Sequence, residues 1–176
     1  MRNVNAFSTT RPDTVTVTAF KREWTLQGGT AYEWLGCIAS DIKELTGIFP
    51  GMVAEEELDL LYQHVLDEDF HDRCVRTARV ALGRACGKDW WWAQNLCQKV
   101  LPGWSLINGI LLREGVSAQH VGLADWMDAV YSLLWERSDQ EQRMKLNVEL
   151  SMMPAGVKVK QNSAARKRML NDFAAD

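Results

Sequence analysis

Residues Leu123–Pro154 read LADWMDAVYSLLWERSDQEQRMKLNVELSMMP. Leu123, Trp126, Met127, Val130 and Leu134 recur at helical spacing, while Asp125, Asp128 and Ser132 lie off that stripe. The pattern predicts an amphipathic helix ending near Arg137. Ser138-Asp-Gln-Glu141 then has the form of a capping box, in which hydroxyl and carboxylate each satisfy the other residue's amide. A second, more polar helix should start there and run to about Met152, with Pro154 and Gly156 stopping it. The stretch is therefore a helical hairpin or bend whose wide apolar face must be covered by the rest of the chain. Nothing in it has the form of a catalytic motif.

The 176 residues are 47% hydrophobic and include eight Trp, enough for a substantial core. The net charge of −3 is unevenly spread. Residues 155–176 carry Lys158, Lys160, Arg166, Lys167 and Arg168 against Asp172 and Asp176, a local +3, which leaves 15 basic and 21 acidic residues, −6, elsewhere. An acidic body argues against nucleic-acid binding, because phosphate contacts need a basic face. Cys37, Cys74, Cys86 and Cys97 form no CxxC and suit reduced, intracellular thiols. The N-terminus lacks the apolar core of a signal peptide, and no apolar run approaches the roughly 20 residues that span a bilayer. The expectation is a soluble, cytoplasmic protein with no membrane association.

Three segments are expected: a flexible N-terminus (1–12), one helical domain (13–154) and a basic tail (155–176) able to form a short helix. The fold class is mostly α, a compact domain of about six or seven helices with a small N-terminal β-hairpin. Asp13–Ala19 alternates Thr and Val and reads as a strand with Val inward; Phe20–Leu26 supplies a turn and the second strand. Thr30-Ala-Tyr-Glu33 is a capping box opening a helix through Ala31, Trp34, Leu35, Ile38, Ile42 and Leu45, closed by Gly47. Phe49-Pro50-Gly51 predicts a turn, and Glu55–Glu57 the first turn of a helix with Leu58, Leu61, Tyr62 and Val65 as its stripe. Phe70–Leu82 is the next helix, ended by Gly83 and Gly87, with Arg73, Arg76 and Arg79 outward. Asp89 should cap Trp90–Leu101, and Ser105–Arg113 should be short and well buried.

Candidate chemistry is thin. Glu68 and His71 have the spacing of di-iron carboxylate helices, with His64 on the same face, but no second Glu-x-x-His completes the site. His71 and Cys74 could begin a zinc site, yet no second pair follows. No pattern pairs a Cys with a His as a nucleophile, and the Arg73/Arg76/Arg79 row fits a solvated face better than a phosphate grip. No catalytic residue, metal ligand or cofactor is therefore expected. The Trp90-Trp91-Trp92 run stands out, because successive helical residues rotate by about 100° and three Trp cannot share one face. Either they pack against both the preceding and following helices, or one is exposed to anchor a partner.

The order of aromatic and turn motifs carries a resemblance. Trp24 in the strand pair is followed by Ala31-Tyr-Glu-Trp34-Leu35, Ile48-Phe-Pro-Gly51, Gly87-Lys-Asp-Trp90-Trp91 and Trp104-Ser-Leu-Ile-Asn-Gly109. Leu111–Val116, Leu123–Tyr131 and Pro154-Ala-Gly156 complete the series. Over about residues 13–156 the chain resembles the tail assembly chaperones of long-tailed actinobacteriophages. The resemblance implies a non-enzymatic factor that binds the long, helical tape measure protein and keeps it soluble while tail-tube subunits polymerise. It further implies a frameshift-extended form of the same chain as a companion, residence in the host cytoplasm, and absence from the finished virion. The basic tail after Gly156 has no match in that pattern. Trp90, Trp91, Trp92, Trp126, Trp135, Met144, Met152 and Met153 are the side chains expected to contact such a client. Two other readings compete: a structural minor tail or head–tail joining protein, and an enzyme built on His64, Glu68, His71 and Cys74.

Overall fold

A computed structural model describes residues 14–155; the expectations for residues 1–12 and for the tail beyond Ala155 lie outside that range. The described chain is mostly helical with an N-terminal two-stranded antiparallel hairpin. Strands β1 (Val15–Ala19) and β2 (Arg22–Leu26) are followed by α1 (Ala31–Ser40), α2 (Ile48–Met52), α3 (Leu58–Tyr62) and α4 (Phe70–Cys86). Then come α5 (Trp90–Val100), α6 (Trp104–Arg113), α7 (Leu123–Glu136) and α8 (Gln140–Ser151). Among the described residues six of these helices have ten or more residues, and α2 and α3 have only five each.

In the hairpin Val15 pairs with Leu26 and Ala19 with Arg22, leaving Phe20-Lys21 as a two-residue turn. Both turn residues have positive φ, 51° and 60°, a geometry that favours Asn-Gly. Left-handed backbone costs a side-chain-bearing residue about 1–2 kcal/mol. At Phe20 that cost is offset by burial: its ring lies 4.7 Å from His64, 5.5 Å from Phe70 and 6.2 Å from Phe49. Trp24 is buried beneath the turn and donates its indole N–H to the Ala19 carbonyl at 2.9 Å. The hairpin rests on α4, and the Gln27 amide donates to the Met52 carbonyl at 2.9 Å.

The Thr30–Glu33 capping box forms as expected. Gly29 leaves room for this box, because a Cβ there would lie 1.5 Å from Glu33 Oε2 and push that carboxylate aside. The first amides of α1 reach the 115–122 loop: Ala31 donates to Val121 O at 2.8 Å and Tyr32 to Ala118 O at 2.9 Å. This helix stops a turn earlier than its apolar spacing suggests. The Asp41 carboxylate accepts the Lys43 and Glu44 amides, both at 3.2 Å, and so competes with helix continuation. Leu45 is still buried, at φ 66°.

Other boundaries also differ from expectation. Phe49-Pro50-Gly51 lies inside α2 rather than in a turn, since a proline in a helix's first turn gives up an amide with no intrahelical partner. Glu55–Glu57 form a separate 3₁₀ turn, and α3 is too short to present a stripe; Leu61 is buried while Tyr62 and Val65 are exposed. Helix α4 runs through Gly83, where a Cβ would meet the Lys88 carbonyl at 3.3 Å, and ends at Gly87 with φ 65°. Asp89 occupies the cap position of α5 without a side-chain cap hydrogen bond. In α6 only Ile110 and Leu111 are buried, so that helix lies at the surface rather than deep within.

Helix α7 supplies the covered face anticipated for it, with Leu123, Trp126, Met127 and Val130 buried; the last buried position is Leu133 rather than Leu134. It packs against α1, α4, α5 and α6. The capping box of α8 is shifted by one residue. Ser138 Oγ donates back to the Leu134 carbonyl at 2.6 Å, so Asp139 caps instead, accepting the Gln142 amide at 2.8 Å. Helix α8 then lies on α5, with Leu146 and Leu150 buried. Tyr131 donates to Asn147 Oδ1 at 2.8 Å and Arg143 Nε to the Trp135 carbonyl at 2.9 Å, tying α8 to α7.

Candidate partner-binding surface

Helix α8 is held by few apolar contacts, and its outer side carries apolar side chains among polar ones. Met144, Val148 and Met152 recur every four residues and are 59%, 62% and 62% exposed. They form a ridge about 12 Å long at 1.5 Å per residue. Val148 did not stand out in the sequence because it lies among Asn147, Glu149 and Lys145 in the most polar helix of the chain. The signal was the i, i+4, i+8 recurrence.

At Met152 the ridge enters an open groove of about 680 Å³ between α4, α5 and the segment following α8. Trp90, Gln94 and Gln98 form one wall and Met152, Met153 and Pro154 the other, with Lys43 and Arg79 at the edge. The groove is held open by polar fastenings. The Asn95 amide donates to the carbonyls of Glu149 (3.1 Å), Leu150 (3.3 Å) and Met152 (2.9 Å), closing the C-terminus of α8. Lys99 pairs with Glu149, whose carboxyl is lowered below its ordinary value chiefly by that hydrogen bond. Buried Gln94 donates to the Lys43 carbonyl at 2.8 Å and fixes the loop after α1.

The three consecutive Trp are all half-buried, each against a different neighbour. Trp90 lies under the Arg79 guanidinium, 4.5 Å from its ring centre, and Trp91 meets Trp90 edge-on at 5.7 Å. Trp92 turns to Tyr131 at 5.8 Å, which in turn meets Trp135 at 5.8 Å. Lys88 and Arg143 cover the two ends of this aromatic row. The run thus packs toward α4 and α7, rather than toward α6. Trp126 is a correction: it is fully buried against Trp104, its indole N–H has no partner among the described residues, and it offers no surface to a client. Of the eight side chains expected to contact a partner, Met144, Met152 and Met153 are exposed and Trp90, Met152 and Met153 meet in the groove.

The other candidate residues do not converge. His64 Nδ1 lies 3.0 Å from Asp67 and its ring stacks on Phe20, whereas His71 Nε2 lies 3.1 Å from Glu44. Among the described residues no group of three His, Cys, Asp or Glu is placed to hold a metal ion. All four thiols are free. Burial pushes Cys74 up to about 11 and Cys97 up to about 12, and raises Cys37 and Cys86, so none is a thiolate near neutrality. No helix among the described residues is long and apolar enough to cross a membrane. Comparison with protein-family profiles, curated proteins and solved structures found no match.

Proposed function

We propose that the chain is a non-enzymatic tail assembly chaperone that holds a tape measure protein in solution during tail-tube assembly. The observation that carries this reading is the exposed Met144–Val148–Met152 ridge and its continuity with the Trp90 groove. Flexible Met side chains repack against many partners, and a groove walled by Trp suits the apolar stripe of an amphipathic helix. The client is then a long helical protein with repeated apolar stripes. The chaperone acts in the host cytoplasm, alongside a frameshift-extended form of itself and tail-tube subunits, and leaves before the virion is complete.

The test is co-expression with the tape measure protein of the chain's own locus, read as the soluble fraction of that client. The wild-type chain should keep the client soluble, and Met144→Ser/Val148→Ser/Met152→Ser should send it to the pellet with thermal unfolding of the chaperone unchanged. A client equally soluble with and without the chain refutes the reading. Recovery of the chain from purified particles in fixed ratio to tail subunits would instead make it a structural component.

A further inference from the structure

A second exposed apolar surface differs in kind from the α8 ridge. Between Glu55 and Asp72 the chain has eight carboxylates and no Lys or Arg. Glu57 is paired with Arg22 at 2.8 Å, Asp69 with Arg73 at 2.7 Å, and Asp67 with His64 at 3.0 Å. Glu55, Glu56, Asp59, Glu68 and Asp72 have no ion-pair partner among the described residues. Among them Leu60, Tyr62, Val65 and Leu66 are exposed, Leu66 by 96%. The base of this lobe is firm: Leu61 is buried and His64 and Phe70 sit on the Phe20 ring. An apolar tip ringed by unpaired carboxylates is complementary to an apolar segment carrying cations.

This chain has such a segment. Residues 156–176 carry Lys158, Lys160, Arg166, Lys167 and Arg168 against two Asp, with Ala165, Met169 and Phe173 recurring every four residues. We propose that residues 156–176 dock on the acidic lobe of their own chain, setting Met169 and Phe173 against Leu66 and Tyr62 and the cations against the unpaired carboxylates. Reach imposes no restriction: 21 extended residues span about 70 Å, and a folded body of this size is about 37 Å across. The exit point is favourable, because Ala155 lines the same groove as Lys43, and neighbouring Glu44 holds His71 at the lobe's edge at 3.1 Å.

Charge selects this surface over the others. The α8 ridge is flanked by both signs, Arg143 and Lys145 with Glu141 and Glu149, and the exposed Leu112 of α6 by Arg113 and Glu114. An acidic recess lined by Glu114, Asp125, Asp128 and Glu136 has the right sign, but its Val116 and Leu133 are buried and Asp128 is paired with Lys88. Among the described residues, the lobe brings five unpaired carboxylates and four exposed large apolar side chains together in a stretch with no Lys or Arg. The docked segment covers the lobe and leaves the α8 ridge free, so the inference stands or falls independently of the chaperone reading.

Zero-length carbodiimide coupling tests it on the full chain, which joins a Lys amine to a carboxylate only where the two touch. An equal mixture of unlabelled and isotope-labelled chains separates coupling within a chain from coupling between copies. The expected products join Lys158, Lys160 or Lys167 to Glu55, Glu56, Asp59 or Glu68 within one isotope. In Arg166→Glu/Lys167→Glu/Arg168→Glu the Lys158 and Lys160 products should fall at least tenfold, and amide exchange over residues 58–66 should quicken. Mixed-isotope products at equal yield would overturn the proposal in favour of docking on a second copy. Products on Glu114, Asp125 or Glu136, or none while the same lysines react freely with an amine reagent, would overturn it as well.

Discussion

Replacing Asn95 by Asp should loosen the end of α8 without unfolding the protein. The Asn95 amide group faces three carbonyls, at 2.9, 3.1 and 3.3 Å, and two protons are shared among them. Three acceptors leave no place for the side-chain oxygen, so the donor orientation is dictated by the surroundings. Truncation to Ala removes hydrogen bonds worth about 1 kcal/mol net, since water reaches part of this site. Asp does more damage, because it places a carboxylate against the negative end of the helix dipole, adding about 1 kcal/mol. The total of about 2 kcal/mol corresponds to roughly thirtyfold faster local opening. Helix α8 is where this should register, because only Leu146 and Leu150 anchor it in the core. Amide hydrogen exchange resolved along the chain is the assay, with α8 of Asn95→Asp compared against α4. The reasoning is refuted if α8 exchanges as in wild type, or if α4 loses protection to the same extent.

Four further outcomes follow from single positions. Gly87→Ala should destabilise by about 1 kcal/mol, whereas Gly36→Ala should stabilise by about 0.5–1 kcal/mol in urea unfolding. Neither added Cβ meets an atom within 4 Å, so only the backbone differs: φ is 65° at Gly87, and Gly36 lies inside α1. Trp24→Phe should cost about 1 kcal/mol more than Trp126→Phe by the same measurement, because it strands the Ala19 carbonyl while the Trp126 indole N–H has no partner to lose. A thiol reagent should modify native Cys37 first and buried Cys74, Cys86 and Cys97 only after denaturation. Because folding raises Cys97 from 9.0 to about 12, its contribution is fully present below pH 9 and declines as pH rises toward 12. Urea titrations at increasing pH should therefore show a loss of up to about 1.4 kcal/mol per pH unit in that window, and a flat profile would refute it.

The α7 stripe and the Val15, Val17, Ala19 face of β1 were legible because each depends on periodicity alone, 3.6 residues for one and two for the other. The Thr30–Glu33 capping box was equally local. Boundaries failed where two local devices competed. Asp41 could continue α1 or bind the next amides, and Ser138 and Asp139 could each cap α8. Composition did not separate these options, since their energies differ by no more than about 1 kcal/mol and neighbouring packing tips the balance.

Sequence by itself therefore determined the helical class, the N-terminal hairpin and the charge imbalance between body and tail. It did so because hydrophobic period and net charge are properties of the chain before it folds. Only tertiary structure decided which large side chains remain at the surface. Trp126 and Met144 both sit in helices and are both large and apolar, yet one is fully buried and the other 59% exposed. The difference is that α7 is enclosed by four helices, while α8 packs on α5 and touches α7 through polar ties. How many neighbours cover a helix depends on where distant segments come to rest, and no local pattern records that.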